Sequence, residues 1–120
     1  MTEKKSGIIQ LYYKKENILW SKKFIFNGKI EGKYIEYYPN GQLLRIYNYK
    51  NDKREGEYKQ YYYNGHLLKI FNYKNGEKEG EHKRYYENGQ LEEICNYKND
   101  KIKGLHKTYF MHWVVTCNYV

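Results

Sequence analysis

One interval governs this chain. Gly32, Gly56, Gly80 and Gly104 lie 24 residues apart, and Asn40-Gly41, Asn64-Gly65 and Asn88-Gly89 repeat at the same spacing. Tyr37-Tyr38, Tyr61-Tyr62 and Tyr85-Tyr86 keep the period, as do Leu43, Leu67 and Leu91, Ile46, Ile70 and Ile94, and the triplets beginning at Asn48, Asn72 and Asn96. Agreement of so many positions at one period defines a repeat array, in which each unit packs mainly against its neighbours. The first copy is worn: "FIFNGKIEG" aligns with "NYKNDKREG", but "LYYKKENILW" before it matches only if one residue is inserted. The last copy loses its Asn-Gly turn and ends in "MHWVVTCNYV". The chain therefore reads as one domain, 1–120. A degenerate first unit occupies about 8–31 and core units 32–55, 56–79 and 80–103. A partial unit with an apolar cap occupies 104–120.

Each unit reads as two short strands. "GEYKQYYY" runs into Asn-Gly, "HLLKIFNYK" follows, and a second turn closes at Asn75-Gly76 or its equivalent. Asn-Gly suits a type I′ hairpin, whose two central residues both need positive φ. Two turns per unit predict an all-β antiparallel meander of at least six strands, elongated, twisted and mostly single-layer. Helix is disfavoured by the density of Gly, Asn and Tyr. Pairing across Asn64-Gly65 predicts Tyr58 opposite Phe71, Lys59 opposite Ile70, and Tyr62 opposite Leu67. Tyr61 and Leu68 then fall on the face away from Tyr58. A bulge near Gly56 or Gly80 would shift this register.

Composition fits a thin sheet better than a closed core. Aromatics make up 19% of residues, 17 of them tyrosine, at a mean hydropathy of -1.09. Tyrosine joins a large apolar face to a polar rim, which suits a structure wet on every side. The net charge of +8 permits anionic partners without selecting one, and lysines also keep an aromatic sheet soluble. Cys95 and Cys117 form no framework, and Cys95 takes the slot of Phe71 and Tyr47 as a small apolar packing residue. No signal-like or membrane-length apolar run occurs, so a reducing, cytoplasmic setting is expected, of a cell or an infected host cell.

Units of the form "G-x-[YH]-x-x-Y-Y-x-N-G-x-L" followed by "N-Y-K-N-x-x-x-x-G" resemble MORN repeats. They are most like the variant MORN-type repeats of bacterial proteins, often labelled antitoxin-like, and of large DNA viruses. The resemblance covers roughly Lys22 to Phe110. It implies a curved sheet of consecutive hairpins and roles in protein–protein contact or, for some members, phospholipid association. It also implies that Gly32, Gly56, Gly80 and Gly104 open strands, followed by an aromatic position held here by Tyr34, Tyr58, His82 and His106. This chain lacks the second glycine of the standard unit and has histidine at two aromatic positions.

No catalytic constellation emerges from the residues. His82 and His106 are one unit apart, so antiparallel stacking sets them two strands, about 9–10 Å, from each other. That separation argues against a shared metal ion, and His66 and His112 fall in turn or tail positions. Glu55, Glu57, Glu79 and Glu81 repeat around the glycines, whereas an active site needs one unique arrangement. His112 and Cys117 share the tail without an orienting third group. No phosphate-binding loop or zinc module is present. Neither catalytic residues, a cofactor nor a metal is therefore predicted. The expectation is a non-enzymatic protein-interaction or scaffold module whose partner lies across a face bearing Tyr37, Tyr61 and Tyr85. Gly32, Gly41, Gly56, Gly65, Gly80, Gly89 and Gly104 would shape its turns and repeats. Alternatives are nucleic acid or an anionic membrane surface, an antitoxin-like role against a toxin, and self-association through a sheet edge or the tail. The tail is expected to pack Met111, Trp113 or Val115 onto the final hairpin.

Overall fold

The computed structural model describes residues 5–13 and 18–120; part of the worn first unit, with its inserted residue, lies outside the described residues. Twelve strands follow in chain order: β1 (Gly7–Tyr13), β2 (Ile18–Phe26), β3 (Lys29–Tyr37), β4 (Leu43–Lys50), β5 (Lys53–Arg54), β6 (Gly56–Tyr61), β7 (Leu67–Lys74), β8 (Glu77–Tyr85), β9 (Leu91–Lys98), β10 (Lys101–Ile102), β11 (Gly104–Tyr109) and β12 (Val114–Tyr119). They form one open antiparallel sheet in the order β1-β2-β3-β4-β6-β7-β8-β9-β11-β12, with β5 on β4 and β10 on β9. No helix occurs among the described residues. The body is thin and elongated, 57 × 36 × 15 Å, and its strands belong to one sheet. The meander predicted from alternating turns is the observed architecture.

The two turns of each unit differ in kind. Type I′ geometry belongs to the second turn, where Asn51-Asp52, Asn75-Gly76 and Asn99-Asp100 carry positive φ at both residues. Their flanks pair directly, as in Lys50↔Lys53, Lys74↔Glu77 and Lys98↔Lys101. The other turn, assigned to I′ from Asn64-Gly65, is a three-residue loop instead. Tyr62 N–H donates to the His66 carbonyl and Gly65 N–H to the Tyr62 carbonyl, 2.8 and 2.9 Å. Asn64 Oδ1 accepts the His66 N–H at 3.0 Å, which is why asparagine suits the position. Gly65 alone takes positive φ, 90°, and a Cβ there would stand 3.0 Å from Gln42 Oε1.

This loop also corrects the register. Tyr58↔Phe71 and Lys59↔Ile70 pair as predicted, but Tyr61, not Tyr62, opposes Leu67, because a bulge follows Gln60. A second irregularity comes at the repeat glycine. β8 matches Ile70↔Lys83 and then Asn72↔Glu79, so Gly80, Glu81 and His82 together face the single residue Phe71. Gly80 at φ 84° absorbs that excess. Gly56 and Gly104 begin strands, as the family resemblance implied, whereas Gly32 and Gly80 lie inside β3 and β8.

What little core exists is a row of rings across one face. Tyr34 stacks on Tyr47 (5.1 Å between centroids), Tyr47 on Tyr58 (5.2 Å), Tyr58 on Phe71 (4.5 Å) and Phe71 on His82 (5.3 Å). Tyr47, Tyr58, Phe71 and Tyr73 are buried. Offset ring pairs contribute about 0.5–1.5 kcal/mol each beyond the area they bury, so in a sheet with no second layer this row carries much of the packing.

Candidate functional site

The tyrosine pairs prove to have divided roles. Tyr38 Oη donates to the Tyr61 carbonyl at 2.7 Å, Tyr62 Oη to the Tyr85 carbonyl at 2.6 Å, and Tyr86 Oη to the Tyr109 carbonyl. The second tyrosine of each pair thus staples its loop to the next unit. Tyr37, Tyr61 and Tyr85, the expected binding row, end β3, β6 and β8 on the face opposite the rings and are half-buried there. Gly41, Gly65 and Gly89 all sit in the three-residue loops with positive φ.

The repeated acidic residues are used structurally. Glu31 accepts the Asn51 N–H (2.9 Å), Glu55 the Asn75 N–H (2.7 Å) and Glu79 the Asn99 N–H (3.0 Å), bracing each I′ turn on its predecessor. Glu57 and Glu81 pair with Lys59 and Lys83 at 3.2 and 3.1 Å. On the ring face, cations lie over the stack. Arg54 is 5.4 Å from both Tyr47 and Tyr73, and Lys78 is 4.9 Å from Phe71 and 5.1 Å from Tyr97. These contacts favour the charged side chains lying flat over the rings.

The row changes character past Phe71. His82 pairs across β8 and β9 with Cys95, and His106 continues the row on β11. Glu93, two residues before Cys95 on β9, reaches between the histidines. Its Oε1 is 3.9 Å from His82 Nδ1 and its Oε2 is 3.5 Å from His106 Nε2. The two histidines stand two strands apart, as their spacing predicts, but their side chains converge through Glu93. Cys95 is only 1% exposed and His82 7%. Burial pushes the His82 imidazole down to about 4, partly opposed by the Glu93 charge, and pushes the Cys95 thiol up to about 11. A buried, protonated thiol is a poor nucleophile, so the Cys-His-Glu trio does not read as a catalytic triad.

The tail departs from expectation as well. It does not cover the final hairpin but extends the sheet as β12, paired among the described residues with β11 alone. Met111 is 91% and Trp113 63% exposed, and Val115 is exposed too. The reason lies in the edge itself: the open donors and acceptors of β11 are satisfied by another strand, not by packing on a face.

The family model described as the MORN repeat variant matches residues 30–51, 54–75 and 78–99, together more than half of the 120 residues. The chain belongs to the MORN repeat variant family. No curated protein sequence matches it significantly. Each matched MORN segment starts two residues before a repeat glycine and ends in or beside a type I′ turn. The MORN match therefore encloses Gly32, Gly56 and Gly80 and stops before β12.

Proposed function

We propose that this chain is a non-enzymatic binding module that engages an extended segment of another protein by strand addition at β12. The observation that carries this reading is the character of that edge. Among the described residues β12 is paired on one side only, all six of its residues are exposed, and none is charged or proline. Natural sheets usually protect such an edge with lysine, proline or a covering element. A bare, β-branched edge instead suits main-chain pairing with an incoming strand, with alternate side chains supplying selectivity. The faces are less available, because the rings are overlain by Arg54 and Lys78 and Tyr37, Tyr61 and Tyr85 are half-buried.

Affinity capture from the source cell with the wild-type chain, Val115→Lys and Tyr61→Ala tests the proposal. A defined protein that survives high salt, is lost with Val115→Lys and is kept with Tyr61→Ala supports it. Loss with Tyr61→Ala alone would move the contact to the tyrosine face. Nuclease-sensitive, salt-labile material would replace the reading with nucleic-acid binding. Sedimentation of the purified chain distinguishes pairing between two copies from pairing with a partner.

A further inference from the structure

The repeat makes departures from itself visible, and four of them meet at one place. Tyr34 and Tyr58 become His82 and His106, Tyr47 and Phe71 become Cys95, and Arg45 and Lys69 become Glu93. Three of the four replace rings with metal-ligating side chains, and the fourth replaces a cation with a carboxylate. One atom each from His82, Glu93 and Cys95 lies within 4.8 Å of the other two. An independent observation points into the same space. Of the three side-chain nitrogens buried without a hydrogen-bond partner among the described residues, Arg45 Nε, His82 Nδ1 and His106 Nε2, two lie here, and His82 is only 7% exposed. Orphaned buried polar atoms are rare in folded proteins and call for an explanation.

We propose that His82, Glu93 and Cys95 form a binding site for a divalent transition-metal ion of the zinc class. Imidazole nitrogen, carboxylate oxygen and thiolate sulfur are the donors zinc takes, at about 2.0–2.3 Å. Tetrahedral ligation at those lengths places donors about 3.3–3.7 Å apart, a contraction that side-chain rotation can supply. Charge balances as well. On binding, the Cys95 thiol releases its proton to solvent as the metal–sulfur bond forms, and its thiolate with the Glu93 carboxylate neutralises the dication. That neutrality matters, because Lys78 lies over the neighbouring Phe71 and Tyr97 rings. His106 orients the carboxylate through its second oxygen, and the partly exposed Glu93 and His106 side chains leave a path for the ion. The fourth position falls to water.

The full chain, reduced and stripped with chelator, is titrated with Co²⁺ alone and then with Zn²⁺ alone. The expected result is one equivalent of Co²⁺ with a thiolate charge-transfer band and visible d–d bands of tetrahedral intensity, displaced by Zn²⁺. Zn²⁺ also raises the melting temperature of the wild-type chain. His82→Tyr and Glu93→Lys restore residues that earlier units carry at these positions, so they are expected to fold yet to lose the bands and the melting shift. Cys95→Ser loses the charge-transfer band, whereas Cys117→Ser keeps it. His106→Tyr keeps the band but binds about 10–100-fold more weakly, as loss of an orienting partner does. Absence of a thiolate band in the wild type, or its persistence in Cys95→Ser or His82→Tyr, overturns the site. Loss of the band in His106→Tyr overturns the three-ligand assignment.

Discussion

Two stretches of one row make the instructive comparison. From Tyr34 to Phe71 the row is stacked rings, and from His82 to His106 it is imidazole, thiol and imidazole on the same face at the same strand spacing. The backbone is alike in both, with a repeat glycine at positive φ and an I′ turn beyond it. What differs is the side chains of the row itself. Rings satisfy one another by contact, whereas His82 Nδ1 and His106 Nε2 are row atoms buried with no hydrogen-bond partner among the described residues; beside the ring half only Arg45 Nε, outside the row, shares that state. A repeated scaffold can thus hold packing constant by position while one unit gains a different chemistry, and the two halves should respond differently to mutation.

The largest difference should come from Phe71→Ala. Phe71 contacts Tyr58, Tyr73 and His82, is covered by Lys78 and is only 3% exposed, so its loss leaves a gap among those side chains. A cost of about 3–5 kcal/mol is expected from large-to-small changes at such a position, read as a lower urea midpoint. Cys95→Ala at the histidine end of the row, measured without added metal, removes one sulfur and should cost far less. Equal losses would mean that the ring row is not the main packing element.

How much of this was readable beforehand depends on the length scale. Period and turn chemistry gave the meander, and Tyr58↔Phe71 followed from counting across a turn, because side-chain alternation has a period of two. The count failed beyond Gln60, since Asn-Gly occurs both in two-residue I′ turns and in three-residue loops whose αL glycine makes a bulge. The tyrosine staples were hidden because each hydroxyl meets a backbone carbonyl 23 residues away, and carbonyls have no sequence signature. Glu93 escapes a reading that follows only the acidic residues flanking the repeat glycines. Its replacement of Arg45 and Lys69, in the unit where histidine enters, was the available signal.

Next in size is Gly80→Ala. With φ at 84° and no atom within 4 Å of a built Cβ, the cost is backbone strain alone, about 1–2 kcal/mol. Gly56→Ala, at the same φ in the ring half, should cost the same, because the bulge is a property of the repeat and not of the side chains beside it. Comparing the two urea midpoints checks this. A clearly larger loss at Gly80 would show that the histidine end depends more tightly on its bulge.

Smaller again is removal of a staple. Tyr62→Phe keeps the ring and deletes the hydroxyl that donates to the Tyr85 carbonyl, so about 0.5–1.5 kcal/mol should be lost. Tyr38→Phe should match it one unit earlier. Because the sites join successive pairs of units, the double variant should show near-additive losses. Strong coupling between them would mean that the staples act through the shared middle unit and not locally.

The smallest expected effect on stability lies farthest from the rings. Val115 stands on an edge strand, exposed, opposite Thr108 and with no strand beyond it among the described residues. Val115→Lys removes little buried area, so thermal or urea unfolding should move by no more than about 0.5 kcal/mol. Its effect should fall on association. A lysine on an open edge must be desolvated when a second strand pairs there, which is how natural sheets discourage such pairing. The same substitution at Ile46, within the ladder between β3 and β6, should unfold the protein far more readily because both neighbouring strands crowd it. A Val115→Lys chain that stays fully folded yet loses its partner separates what the interior of the sheet does from what its edge does. If that chain binds as well as the wild type, the edge is a termination of the repeat and the contact must be sought on the tyrosine face.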